Sequence, residues 1–171
     1  NMLIAAREGR CCRFNEMELR ALGRNSSGVR GISIEDDDEV VGAIAYKPDA
    51  EDASAHSILV VSENGYGKRS DYEEYRLTSR GAKGVKTINI TDKTGSLVAI
   101  KDVTEENDLM IITKSGLTIR MAVSEIRVAG RATQGVKLIN IREGDSIAAV
   151  CPVAKSDEEE VSGEAEHNNE V

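Results

Sequence analysis

The stretch that decides the fold is residues 58–90, ILVVSENGYGKRSDYEEYRLTSRGAKGVKTINI. It begins with an apolar run, passes through a turn signal at Asn64-Gly65, and ends in the alternating segment Val85–Ile90. An Asn-Gly pair between such runs is typical of a β-hairpin, and apolar residues at every second position are typical of a half-buried strand. The stretch therefore predicts short β-strands joined by tight turns.

The pattern of residues 58–90 occurs three times along the chain. With Gly9, Gly65 and Gly116 as origins, a second glycine follows each origin after 19 residues, at Gly28, Gly84 and Gly135. Cations recur four, eleven, fifteen and twenty-one residues after the origins: Arg13, Arg69 and Arg120; Arg20, Arg76 and Arg127; Arg24, Arg80 and Arg131; Arg30, Lys86 and Lys137. A glutamate recurs nine residues after them, at Glu18, Glu74 and Glu125. This gap-free agreement indicates an internal structural repeat.

Each repeat predicts four short antiparallel strands. The first is an apolar run, and the second follows the origin glycine and carries the first repeated arginine. The third is predicted at Val29–Ile34, Val85–Ile90 and Val136–Ile141, and the last at Val40–Ile44, Leu97–Ile100 and Ile147–Val150. Four-stranded units that repeat about every 50 residues are typical of propeller-like blades.

The predicted fold is therefore all-β, a propeller-like disc of four-stranded antiparallel blades of which this chain holds three. The expected boundaries are residues 1–50 for repeat 1, 51–101 for repeat 2 and 102–154 for repeat 3. Residues 155–171 carry seven acidic residues and one lysine, and this composition predicts a disordered tail. Because three blades cannot close a disc, we expect the sequence to be a piece of a longer protein.

Composition excludes several classes of protein. No apolar run is long enough to cross a membrane, and no signal peptide is recognisable at the N-terminus. Three cysteines give no disulfide framework, which fits a reducing compartment and a cytoplasmic location. Only 3% of the residues are aromatic, so stacking on nucleic-acid bases is not expected to dominate binding. The net charge of −8 lies mostly in the acidic tail.

The repeated cations are the candidate binding residues. The cations at offsets fifteen and twenty-one lie in and just after small, glycine-containing motifs at residues 23–28, 79–84 and 130–135. Glycine permits close backbone approach, and arginine beside free amides suits phosphate oxygens. One such site in each blade predicts an arc of positive charge that matches bent duplex DNA, with contacts to the backbone rather than to base edges. The alternative is that each arginine pairs with an acid inside its own blade.

No catalytic or metal-binding pattern accompanies these cations. The run Gly65–Ser70 does not fit a phosphate-binding loop and predicts a hairpin turn, with Lys68 and Arg69 as further DNA contacts. His56 and His167 stand alone, without metal-ligand spacing. Fourteen residues are therefore predicted to contact DNA: Arg13, Arg20, Arg24, Arg30, Lys68, Arg69, Arg76, Arg80, Lys83, Lys86, Arg120, Arg127, Arg131 and Lys137.

Several of these runs resemble a known family. The runs are Gly23-Arg24 with Gly28–Ile32, Asn64–Arg69 with Glu74-Tyr75, Val123–Ile126, and Gly130–Val136. Together they closely resemble the C-terminal domain of the bacterial DNA gyrase A subunit, over residues 2–153. The order of the motifs is similar to that of the last three of its six blades, and its acidic end is similar to the tail here.

This resemblance implies a β-pinwheel, whose blades exchange strands, and DNA wrapped around a basic rim to support negative supercoiling. It implies as partners duplex DNA, the rest of the A subunit and the B subunit in an A2B2 complex, with no membrane. ATP and Mg²⁺ are expected to act on other domains, with no cofactor and no catalytic residue in this chain. The family's box rich in glutamine, arginine and glycine, which lies in its first blade, is not found here.

Two other interpretations stay open at this point. One is a propeller-like protein-interaction scaffold in which the repeated arginines are structural. The other is the equivalent domain of the topoisomerase IV A subunit, which is similar but has fewer blades and more degenerate motifs.

Overall fold

The computed structural model describes residues 1–155, and most of the predicted tail lies outside them. The described chain contains eleven β-strands and four short 3-10 helices. The strands are β1 (Met2–Ala6), β2 (Arg10–Phe14), β3 (Val40–Ala45), β4 (Ser57–Ser62), β5 (Tyr66–Ser70), β6 (Val85–Lys86), β7 (Leu97–Val103), β8 (Asn107–Thr113), β9 (Thr118–Ala122), β10 (Val136–Lys137) and β11 (Ile147–Ala154). The 3-10 helices are Glu16–Glu18, Ala53–Ala55, Tyr72–Glu74 and Val123–Glu125.

The strands form three antiparallel sheets, one for each repeat. The strand orders are β3-β1-β2-β6, β10-β5-β4-β7 and β11-β8-β9. The first, second and last strands of every repeat lie where the sequence predicts them, and β7 continues to Val103, beyond the expected boundary at residue 101.

The third predicted strand is shorter than expected, and its pairing agrees with the exchange of strands that the resemblance implies. It does not pair within its own repeat: β6 of repeat 2 pairs with β2 of repeat 1, and β10 of repeat 3 pairs with β5 of repeat 2. Only two residues of each segment form ladder pairs, and residues 29–34 of repeat 1 form no strand. The reason is that this segment needs the second strand of a preceding repeat, which the described chain supplies only to repeats 2 and 3.

The exchanged strands place two repeats side by side at each of two joints. The first joint is the contact of repeats 1 and 2 through β2 and β6, and the second joint is the contact of repeats 2 and 3 through β5 and β10. Neighbouring repeats are therefore tied together by backbone hydrogen bonds as well as by side-chain packing.

The hydrophobic core lies between the sheets. Strand β4 is buried along its whole length, because its side chains point alternately to two sides. Ile58 and Val60 pack in the cluster shared by repeats 1 and 2, and Leu59 and Val61 pack in the cluster shared by repeats 2 and 3. The middle sheet is thus covered on both faces, which explains its uninterrupted apolar run.

Candidate nucleic-acid interface

The first repeated arginine is structural at both joints. Arg13 is buried, and its Nη1 donates to the carbonyl oxygens of Tyr72 at 2.8 Å and Tyr75 at 3.0 Å. Arg69 is 5% exposed, and its Nε donates to the Ile126 carbonyl at 2.8 Å. Their acceptors lie in the following repeat, so each guanidinium joins two repeats. The prediction that these two side chains contact DNA is therefore corrected, since they are buried and bonded to protein.

Arg120 occupies the same offset in repeat 3 but remains at the surface. Its Nε donates to Asp108 Oδ2 at 2.7 Å, and its Nη2 donates to the Ala154 carbonyl at 2.9 Å. No repeat follows repeat 3 within residues 1–155, so no carbonyl from a next repeat is available to it there.

Lys68 is also buried and does not lie on the predicted interface. Only 1% of this residue is exposed, and its Nζ donates to the Arg131 carbonyl at 2.7 Å and to Ser70 Oγ at 3.1 Å. Burial lowers the pKa of Lys68 to about 8, and although Glu74 opposes this shift, the positive charge of Arg131 adds to it. The prediction that Lys68 binds DNA is corrected because its ammonium is enclosed at the second joint.

The arginines at offset fifteen lie across the joints. Arg80 Nη1 donates to the carbonyl of Arg30 at 2.6 Å, and its backbone N–H donates to Glu18 Oε2 at 2.8 Å. Arg131 makes the equivalent contacts to repeat 2, donating from Nη1 to the Lys86 carbonyl and from Nε to the Glu74 carbonyl at 3.0 Å. These half-buried guanidinium groups are bonded to backbone carbonyls of the preceding repeat.

The repeated glutamate has a different partner from the one considered in the sequence analysis. Glu18 and Glu74 do not pair with arginines of their own repeat; each accepts a backbone N–H from the next repeat, from Arg80 and Arg131 respectively. The glutamate therefore helps to seat the neighbouring glycine-containing motif.

Glycine is required where that motif crosses the preceding strand. Gly84 has a φ of +74°, and a Cβ at this position would lie 2.4 Å from the carbonyl oxygen of Cys11. Gly135 repeats the arrangement at the second joint, with a φ of +79° and the Gly67 carbonyl oxygen at 2.5 Å. The second glycine of repeats 2 and 3 therefore serves close packing of two backbones, one of the uses that glycine alone permits.

Arg24 behaves differently from its two counterparts. It is exposed, and its side chain makes no hydrogen bond or ion pair within the described chain. The acceptors that hold Arg80 and Arg131 come from a preceding repeat, and repeat 1 has none within residues 1–155.

The cations at offset twenty-one lie at the sheet edges. Lys86 and Lys137 are exposed on the terminal strands β6 and β10, and Arg30 is exposed on the corresponding irregular segment. Because Arg80 bonds to Arg30 and Arg131 bonds to Lys86, offsets fifteen and twenty-one meet at each joint. Each joint thus brings together one cation of offset fifteen and one of offset twenty-one, from different repeats.

The remaining predicted cations are exposed. Arg20, Arg76 and Arg127 follow the 3-10 helices and make no side-chain ion pair among residues 1–155. Lys83 lies 3.7 Å from Glu35 in an exposed ion pair, which contributes little binding energy and leaves the lysine accessible. The structure therefore leaves a set of exposed candidates: Arg20, Arg24, Arg30, Arg76, Lys83, Lys86, Arg120, Arg127 and Lys137.

Sequence reasoning missed the role of His56. The structure places its Nδ1 2.7 Å from Asp102 Oδ2 and its Nε2 3.4 Å from Asp52 Oδ2. Tyr72 donates from its hydroxyl to the other oxygen of Asp102 at 2.6 Å. Partial burial acts to lower the pKa of His56, but the hydrogen bonds and charges of Asp102 and Asp52 outweigh it and raise the pKa. The sequence alone does not predict these contacts, because Asp52 precedes His56 and Asp102 follows it 46 residues later.

The repeat architecture and its joints match a known family of domains. The family described as "DNA gyrase C-terminal domain, beta-propeller" matches residues 1–47, 56–104 and 107–153. The chain belongs to the DNA gyrase C-terminal domain family. These three matched ranges follow the three repeats of the structure.

Relatives in this family share much of the sequence. The DNA gyrase A subunit of Staphylococcus epidermidis is 44% identical over 158 residues, which cover 92% of this chain and 17% of that protein. The DNA gyrase A subunit of Staphylococcus aureus is 42% identical over 171 residues, all of this chain and 19% of that protein. The chain thus spans about a fifth of the length of the curated relatives it matches.

Solved structures confirm the fold of the family. A DNA gyrase A C-terminal domain superposes with a TM-score of 0.78 and 25% identity, covering 88% of this chain and 50% of that one. The C-terminal domain of a DNA topoisomerase IV superposes with a TM-score of 0.79 at 18% identity, covering 90% of this chain and 46% of that one, and shows the shared fold alone. The all-β prediction and the resemblance to gyrase A are thereby confirmed. No helix within the described residues is long and apolar enough to cross a membrane.

Proposed function

We propose that this chain wraps duplex DNA along an arc that runs over its two joints, as part of a gyrase A subunit. The observation that carries the proposal is the pair of cations at each joint, Arg30 with Arg80 and Lys86 with Arg131. The guanidinium groups of Arg80 and Arg131 donate to backbone carbonyls. None of the four cations forms an ion pair within the described chain, so their positive charge is not cancelled.

The mechanism follows from where these charges lie. Regularly spaced cations on a curved surface attract the phosphates of a duplex and release its counterions, which favours bending of the DNA toward the protein. Lys86 and Lys137 occupy the same place in successive sheets, so the spacing of the repeats sets the spacing of the contacts. No element of the described chain is shaped like a helix that enters the major groove, and contacts to phosphates carry no base identity.

In this proposal the chain contributes binding energy and DNA curvature but no covalent chemistry. The ATP- and Mg²⁺-dependent passage of strands belongs to other domains of an A2B2 complex with the gyrase B subunit, in the bacterial cytoplasm near the nucleoid. The family membership and the relatives named as DNA gyrase A subunits support this assignment.

A titration with linear duplex DNA at two salt concentrations tests the proposal. We expect the logarithm of the affinity to fall with the logarithm of the salt concentration, by about 0.9 for each phosphate contacted. Duplexes of unrelated sequence should bind with similar affinity, and their end-to-end distance, measured by energy transfer between terminal dyes, should shorten on binding.

The matched variants for this test are Lys86→Gln and Lys137→Gln, with Lys47→Gln as a control of equal charge change outside the exchanged strands. Unchanged binding in the two joint variants would refute the basic arc. Absence of any salt-dependent DNA binding would favour the alternative of a protein-interaction scaffold.

A further inference from the structure

A groove at the second joint contains cations that the repeated offsets do not predict. It has a volume of about 330 Å³, and its lining includes Asn64, Tyr66, Lys93, Lys137, Arg142 and Asp145. Of these, only Lys137 belongs to the repeated set. Lys93 comes from repeat 2 and Arg142 from repeat 3, so the groove exists only when the two repeats are joined.

A buried tyrosine positions two of the cations. Tyr66 is 8% exposed, and the Nζ atoms of Lys93 and Lys137 lie 5.4 and 5.9 Å from the centre of its ring. Ammonium groups at this distance are attracted to the ring but keep their charge and their hydrogen-bond donors. Two positive charges beside one ring repel each other, and a bound anion relieves that repulsion.

The backbone that carries these lysines is fixed. Asn64 Nδ2 donates to the carbonyls of Asp92 and Lys93, each at 3.3 Å, and the adjacent Thr94 is fully buried. Lys137 lies directly opposite Tyr66 in the pairing of β10 with β5. The two ammonium groups are therefore presented by segments that are already ordered without a ligand.

The acids near the groove do not pair with its cations. The carboxylate of Asp145 accepts hydrogen bonds from the Ser115 N–H at 3.0 Å, the Ser115 hydroxyl at 2.5 Å and the Ser146 N–H at 2.8 Å. Within residues 1–155, none of Lys93, Lys137 and Arg142 has a carboxylate oxygen within 4.0 Å. With Glu143 and Asp145 as its two acids, the groove still holds three cations against two carboxylates.

The first joint lacks this arrangement although it has the same fold. Arg10 stands where Tyr66 does, and its Nη1 donates to the Gly84 carbonyl at 3.1 Å. Asp37 occupies the offset of Lys93, so an acid replaces a base there. The groove is therefore a property of the second joint and not of the repeat in general.

We propose that the groove between Tyr66, Lys93, Lys137 and Arg142 is a phosphate-binding subsite. Ammonium and guanidinium donors that converge without carboxylate partners suit the oxygens of one phosphate group. The inference rests on the proposed function, because the ligand expected in this groove is a phosphodiester group of the wrapped duplex. Free polyphosphate presents the same phosphate oxygens and is the alternative ligand.

The decisive experiment compares the double variant Lys93→Gln/Arg142→Gln with the double control Lys47→Gln/Lys101→Gln, in the complete 171-residue chain. Each protein is titrated with linear duplex DNA at two salt concentrations. We expect the groove variant to lose about tenfold in affinity at low salt and to flatten the salt dependence by about one phosphate contact, while the control loses less than about twofold. Equal affinities for the two proteins would overturn the subsite.

A second arm separates the sources of the phosphate and the two proposals. Sodium tripolyphosphate is added without DNA while the backbone amide signals of Lys93 and Lys137 are followed by NMR. Shifts with tripolyphosphate but no binding of duplex would support the subsite and contradict DNA wrapping. Binding of duplex that falls in Lys86→Gln but not in the groove variant would support DNA wrapping and contradict the subsite.

Discussion

Residues 15–34 of repeat 1 and residues 71–90 of repeat 2 share one sequence pattern but have different surroundings. Leu19 is 40% exposed, whereas the residues at its offset in repeats 2 and 3, Tyr75 and Ile126, are each 1% exposed. Gly28 has nothing within 4 Å of where a Cβ would stand, whereas a Cβ on Gly84 would meet the backbone of Cys11. The difference is the presence of a preceding repeat on which the segment packs.

The comparison teaches that an arginine's role follows from its neighbour and not from its motif. Arg80 and Arg131 join two repeats because carbonyl groups of a preceding repeat are within reach. Arg24 has the same motif, but no such acceptors lie within its reach among residues 1–155, where it is exposed. The arginine at offset fifteen thus bridges two repeats wherever the described chain contains a preceding repeat.

Glycine substitution should give the largest separation between the docked and the exposed copy. Gly84→Ala places a Cβ 2.4 Å from the carbonyl oxygen of Cys11 and strains a φ of +74°, so we expect a loss of about 4 kcal/mol in the free energy of unfolding. Gly28→Ala, at a φ of +79° in open space, should cost about 1 kcal/mol. Urea unfolding of both variants measures the difference. Equal losses would mean that close packing at the first joint is unimportant.

The arginines at offset four offer the next comparison. Arg69→Ala removes a buried guanidinium from the Ile126 carbonyl and should lower the free energy of unfolding by about 3 kcal/mol. Arg120→Ala breaks an exposed contact with Asp108 and should cost less than about 1 kcal/mol. Thermal unfolding of the two variants under identical conditions checks this. A larger loss for Arg120→Ala would show that the second joint does not depend on Arg69.

Conservative substitution separates a bridging arginine from a phosphate-binding one. At position 131 both Arg131→Lys and Arg131→Gln should destabilise by about 1.5 kcal/mol, because neither retains the two carbonyl contacts. At position 24, Arg24→Lys should keep DNA affinity, while Arg24→Gln lowers it about threefold without changing stability. The measurements are thermal unfolding and a salt-dependent DNA titration. Full stability in Arg131→Lys would assign that arginine to charge alone.

The smallest expected effect is a pH dependence of stability at the first joint, which contains His56. The second joint has no equivalent histidine. Asp102 and Asp52 face His56, and Tyr72 shares the Asp102 carboxylate. Because the pKa of His56 is raised on folding, its stabilisation is complete below pH 6.5 and is lost as the pH rises through the folded-state value. The difference in free energy of unfolding between the native chain and His56→Gln should therefore shrink from acidic to alkaline pH. A difference independent of pH would show that the ion pair with Asp102 contributes nothing.

The candidate binding residues show which parts of the site the sequence could predict. The fixed offsets selected residues that the structure brings together, since Arg30 and Arg80 meet at one joint and Lys86 and Arg131 at the other. The offsets could not separate bridging cations from open ones, because Arg13 and Arg69 are buried whereas Arg120 at the same offset is exposed. The repeated offsets did not predict Lys93 and Arg142, because these two residues lie outside the repeated positions.

By itself the sequence determined the all-β fold, the three repeats and the positions of the eleven strands, although β6 and β10 are shorter than predicted. It could do so because turn glycines and alternating apolar residues are local signals, set by the geometry of neighbouring residues. The resemblance implied an exchange of strands, but only the tertiary structure showed which strands pair, with β6 and β10 on the preceding repeats. Pairing and burial depend on which surfaces meet across the joints, and that information lies in the packing of one repeat on another.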